Sequence, residues 1–178
     1  MSVLGAFLST WDSARATLGE GPPVGGAEFD RSGTLDELHR MIASAGPGEH
    51  WTGAAAEAYS GRNERLVGTI GGLAELDRRL GSEVDRSAQV VAAGRRDLDA
   101  VKQWVLSAAA SVPPNTAGER ALIAVVSRGV GEVADILRRS NADMNGIAAR
   151  IRDLGEGYQT LGDRQGRDAD ADDPNGQG

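Results

Sequence analysis

Residues 51–112 read WTGAAAEAYSGRNERLVGTIGGLAELDRRLGSEVDRSAQVVAAGRRDLDAVKQWVLSAAASV, and their spacing decides the fold. No proline interrupts the run until Pro113. Apolar or small side chains return every seven residues on two rows: Tyr59, Leu66, Leu73, Leu80, Ser87, Gly94, Val101, and Ile70, Asp77, Val84, Val91, Leu98, Val105, Val112. Rows offset by four and then three residues are the a/d seam of a left-handed coiled coil. After Pro113-Pro114-Asn115 the pattern recurs from Thr116 to Leu161, on Ile123, Val130, Leu137, Met144, Ile151, Tyr158 and Val126, Val133, Ser140, Ile147, Leu154, Leu161. Neither stripe can be buried alone. The spacing predicts an all-α fold: an elongated antiparallel helical hairpin, coiled-coil-like, with one or two shorter N-terminal helices packed on it.

Outward from the hairpin, the chain divides into four stretches. Residues 1–20 carry Leu4, Phe7, Leu8, Trp11 and Leu18 on one stripe of a short amphipathic helix. Its polar face lacks the basic cluster of a membrane anchor, so docking on the hairpin is the expectation. Residues 21–33 are rich in glycine and proline and form a loop. The helical bundle covers 34–162, with helices over 34–46, 53–112 and 116–162. Thr34 with Glu37, and Thr116 with Glu119, have the spacing of capping boxes. Leu35, Leu38, Met41 and Ile42 give the first of these helices its apolar face. From 163 to 178 the chain is acidic and lacks an apolar anchor, the composition of a disordered tail.

Two features of the long helix sit badly with helix propensity. Gly61, Gly68, Gly71, Gly72, Gly81 and Gly94 each cost on the order of 1 kcal/mol relative to alanine, so packing must offset about 6 kcal/mol. Gly61 and Gly68 are expected to let a neighbouring helix approach closely. Asp77 occupies a seam position, either where the shorter helix ceases to cover it or in a polar contact with an arginine of a neighbouring helix.

Composition excludes several classes of function. Nineteen basic against 26 acidic residues leave a net charge of -7, which argues against a nucleic-acid groove. There is no cysteine for a disulfide or a thiolate metal site. His39 and His50 stand without an H-E-x-x-H spacing, and no phosphate loop or G-x-S-x-G elbow occurs. No stretch approaches the apolar length of a membrane span, and Asp12 and Arg15 interrupt the N-terminal apolar run of a Sec-type signal. The reading is a non-enzymatic protein with no cofactor and no metal. Two aromatics occupy special places, Trp51 at the turn into the long helix and Tyr158 near the end of the return helix. From the residues alone, Trp51 either plugs the end of the helical core or presents itself for recognition.

From Pro47 to Tyr59 (PGEHWTGAAAEAY), with Asn63 and Leu76-Asp77-Arg78 beyond, the chain resembles the N-terminal region of the EspA/EspE family of mycobacterial type VII (ESX) secretion substrates. The shared pattern is P-G-x-x-W-x-G-x-A-A-x-x-Y. The resemblance implies export through a type VII system as a folded helical hairpin, cytoplasmic before export and secreted or envelope-associated after it. It also implies recognition residues Trp51, Gly53 and Tyr59, read by the secretion machinery or a dedicated chaperone. Such substrates carry a Y-x-x-x-[DE] signal after the hairpin. Here Tyr158 is followed at the fourth position by Gly162 and only at the fifth by Asp163, so the signal is degenerate, supplied by a co-secreted helical partner, or absent. The alternatives are a cytosolic helical chaperone or adaptor that pairs with a secreted partner, and a homo-oligomeric structural protein.

Overall fold

The computed structural model describes residues 2–48 and 50–171. In chain order these form α1 (Val3–Thr17), a single 3-10 turn (Gly26–Glu28), α2 (Ser32–Ser44), α3 (Ala54–Ala110) and α4 (Thr116–Ala171). Among the described residues there is no strand. The protein is all-α, and its two long helices pack against each other as an antiparallel hairpin. The chain nevertheless divides into two compact units. One joins the N-terminal segment to Val24 with Arg86–Ile147; the other joins Gly25–Asp85 with the chain from Ala148 onward.

In the first unit, α1 docks where its stripe predicts. Phe7, Trp11 and Ala14 are buried with Leu98 and Val105 of α3 and with Val126, Val133 and Ile136 of α4. The indole N–H of Trp11 donates to the Leu98 carbonyl at 2.7 Å, which satisfies the one polar atom such burial would strand. The Ser2 hydroxyl caps the start of α1 by accepting the Gly5 N–H at 3.1 Å. At its other end Arg95 supplies what the helix lacks, donating Nη2 to the Leu18 carbonyl at 2.7 Å and Nη1 to the Gly21 carbonyl. Gly129 lets Val105 and Phe7 close over it: a Cβ there would lie 2.6 Å from Val105 Cγ2 and 3.0 Å from Phe7 Cε2.

The second unit pairs the front of α3 with the last turns of α4. Leu161 packs over Gly72 and Leu76 over Gly157. Arg150 Nε meets Glu83 Oε2 at 2.8 Å, and this glutamate is only 7% exposed. The loop before α2 lies against the same helix. Gly26 N–H donates to Asp85 Oδ1 at 2.7 Å, and the backbones of Gly26 and Gly81 approach too closely for any side chain between them.

Several expectations are corrected by the side chains. On α4 burial follows one row: Val126, Val133, Ser140, Ile147 and Leu154 are all buried, but Ile123 is 51% exposed and Val130 is also open. On α2 the face toward α3 is Leu35, His39 and Ile42, while Leu38 and Met41 point to solvent. Neither capping box forms. Asp30 accepts the Ser32 N–H at 2.8 Å at the start of α2, and the Ser32 hydrogen bonds hold this carboxyl below its usual range. Asn115 Oδ1 accepts the Gly118 N–H at 2.9 Å at the start of α4. In both cases an Asx side chain ahead of the threonine takes the place. Gly61 and Gly68 face open space, so they do not mediate close approach. Of the tail expected from 163 on, residues to Ala171 continue α4 as helix, and 172–178 lie outside the described residues.

Candidate recognition site at the start of the long helix

Trp51 stands in the short connection between α2 and α3. Its backbone N–H donates to the Gly48 carbonyl at 3.0 Å, and Gly53 follows at φ +101°, a conformation that L side chains rarely adopt. The Gly53 carbonyl then accepts the Glu57 N–H at 3.1 Å, opening α3. Glycine at this position is therefore a requirement of the turn that places the indole.

One turn and a half into α3, the Tyr59 ring meets the Trp51 ring at 5.2 Å between centroids, tilted by 47°. The same tyrosine donates its hydroxyl to the Ala45 carbonyl at 2.9 Å, and Asn63 donates its side-chain amide to the Ile42 carbonyl at 3.0 Å. Tyr59 and Asn63 are four residues apart, hence on one face of α3. Together they bind carbonyls at the C-terminal end of α2, the Ile42 carbonyl also accepting the Ala45 N–H at 3.0 Å. The tyrosine thus fixes two things at once, the end of α2 and the orientation of the indole. Trp51 remains 47% exposed, and Met41 on the adjoining helix is 62% exposed. Exposed aromatic and thioether surface on a rigid turn suits recognition by an apolar partner surface.

The C-terminal candidates lie elsewhere. Tyr158 is half-buried and donates its hydroxyl to Asp77 Oδ1 at 3.2 Å. Asp77 also accepts the Arg31 backbone N–H, so this seam carboxylate ties the loop before α2 to α4. Burial and the neighbouring Asp77 charge push the Tyr158 hydroxyl up to about 12. Asp163 is exposed on α4, five residues on, so it points about 140° away from Tyr158 around the helix. Asp77 sits eighteen residues along α3 from Tyr59, roughly 27 Å at the helical rise. The structure brings Trp51, Gly53 and Tyr59 together; Tyr158 and Asp163 join neither them nor each other. Asn63 is the member of the site whose contribution the spacing did not reveal, because a lone asparagine in a helix gives no hint of which carbonyl it will meet.

Among the described residues no group of histidine, aspartate and glutamate side chains could hold a metal ion, and no helix is long and apolar enough to cross a membrane. Comparison with known proteins gives the site its context. The EspA/EspE family model matches residues 18–100, which contain the whole Trp51–Asn63 constellation. The chain is 30% identical over 180 residues to the ESX-1 secretion-associated protein EspE of Mycolicibacterium smegmatis, a match covering 94% of this chain and 34% of that protein. It is 31% identical over 102 residues to the ESX-1 secretion-associated protein EspA of Mycobacterium tuberculosis H37Rv, covering 57% of this chain and 26% of EspA. The chain thus spans about a third of the EspE relative and a quarter of EspA. No solved structure matches it at a significant level. Over residues 18–100 the chain is a member of the EspA/EspE family.

Proposed function

We propose that this chain is a non-enzymatic, type VII secretion-associated protein, presented to the export machinery or a dedicated chaperone as a folded helical hairpin. The Trp51 turn is the feature that is read. One observation carries this reading: an indole at the head of the long helix is held in a fixed orientation by Tyr59 and Gly53 yet left nearly half exposed. An indole that merely plugged the core would be covered, as Trp11 is. The names of the relatives support the same pathway.

The test is export of Trp51→Ala, measured as protein in culture filtrate against cell lysate, in cells with and without a functional type VII system. Loss of export with an unchanged helical circular dichroism spectrum supports the reading. Unchanged export of the folded variant ends it.

A second reading is favoured by Tyr158. Its hydroxyl is engaged by Asp77, and glycine stands where a Y-x-x-x-[DE] signal would carry its acid. On that reading a co-secreted helical partner supplies the signal, or this chain is the adaptor that stays in the cytoplasm. Fractionation of the two proteins separates these outcomes.

A further inference from the structure

The α3–α4 pair in the first unit has two flanks, and α1 fills only one. On α3 that flank carries Arg95, which caps α1, and Lys102, whose ammonium lies 3.7 Å from the centre of the Trp11 ring. Trp104 lies two residues on, about 200° further around the helix, and so on the opposite flank. There it lines an open pocket of about 270 Å³ with Ala100, Val101, Arg128 and Glu132. The indole is 38% exposed, and the Arg128 guanidinium lies 5.2 Å from its ring centre.

The floor of this groove is apolar, and its rim carries one charge of each sign. Arg128 and Glu132 lie one turn apart on α4, and their own contact is long, at 3.9 Å between Nε and Oε1. A two-fold axis lying in the interface and passing over α4 midway between them, at right angles to the helix, sets Arg128 of one copy against Glu132 of the other, twice over, with both Trp104 rings in the shared groove. A surface that carries both halves of its own complement is what an isologous contact needs. We infer that the Trp104 groove of the first unit is a self-association face, occupied by a second copy of this chain. This holds whether or not the chain is exported.

The experiment is sedimentation equilibrium on the full chain at 0.15 M salt, where the repulsion between chains of net charge -7 is screened beyond about 8 Å. The wild type is expected to dimerise, and Trp104→Ala to weaken the dimer at least roughly tenfold. Arg128→Glu alone and Glu132→Arg alone each place two like charges in contact and are expected to weaken it comparably. An equimolar mixture of these two variants restores opposite signs at both contacts, so heterodimers form at near wild-type affinity. Trp104 and Arg128 are exposed and Glu132 is half-buried, and circular dichroism verifies that the variants fold. A wild type that stays monomeric to high concentration overturns the inference and leaves the groove to a different chain. A dimer indifferent to these substitutions, or a mixture that fails to restore association, overturns it equally.

Discussion

The Tyr158 hydroxyl donates to Asp77 Oδ1 across 3.2 Å, joining α4 to the one acidic residue on the α3 seam. Asp77 has a second donor in the Arg31 backbone N–H, so its removal strands two groups. Asp77→Ala is expected to cost about 1–3 kcal/mol, lowering the thermal midpoint by several degrees. Because the folded state raises the Tyr158 pKa, the unfolded chain ionises first. The stability from this group is whole below about pH 10 and drains away as pH rises to about 12. Absorbance titration of Tyr59→Phe, in which Tyr158 is the sole tyrosine, should give a midpoint near the upper value. A midpoint near 10 in the folded protein contradicts it.

Glycines in the long helices should divide by what lies over them. Gly61→Ala, Gly68→Ala and Gly131→Ala add a methyl in open space and are expected to stabilise by about 0.5–1 kcal/mol each. Gly129→Ala drives Val105 and Phe7 apart in a close-packed core and is expected to cost about 1–3 kcal/mol. Urea denaturation of the four variants is a direct check, since the sign itself must change.

Two ion pairs with the same chemistry should differ in weight. Arg150 reaches a glutamate that is almost wholly buried, whereas the Arg138–Asp135 pair is exposed on both sides. Arg138→Ala is expected to change stability by less than about 0.5 kcal/mol. Arg150→Ala should cost more than about 1 kcal/mol, because it removes a counter-charge from a desolvated carboxylate. Equal effects in denaturant titrations would contradict the burial argument.

The indoles provide a third contrast. Trp11→Ala removes a core ring and its hydrogen bond to Leu98, at an expected cost of about 3–5 kcal/mol. Trp51→Ala removes a ring half in water and is expected to cost about 1 kcal/mol or less. A severe loss from Trp51→Ala would show that its exposure overstates its freedom.

The hairpin was legible because a seven-residue repeat sustained over both segments admits few other structures. What periodicity cannot register is where a third helix lies. Ile136, off both rows, is buried because α1 reaches it, and Ile123, on a row, is exposed because nothing covers it. The start of α2 lies two residues ahead of the expected one, where Asp30 accepts the Ser32 N–H; α4 starts at Thr116 as expected, but Asn115 supplies the cap in place of that threonine. At the candidate site, Trp51-x-Gly53 was visible as a motif. That Tyr59 and Asn63 would tie down the end of α2 depends on a hydrogen-bond geometry that only the folded chain displays.

The union of α1 with Leu98, Val105 and Ile136 has a consequence for biosynthesis. On a ribosome adding about 5–20 residues per second, Phe7 and Trp11 are made roughly 6–25 s before Ile136. Through that interval the oily stripe of α1 lacks its full set of neighbours, Leu98 and Val105 coming first and Ile136 last. A nascent-chain escort would meet this chain in a form quite unlike the finished one.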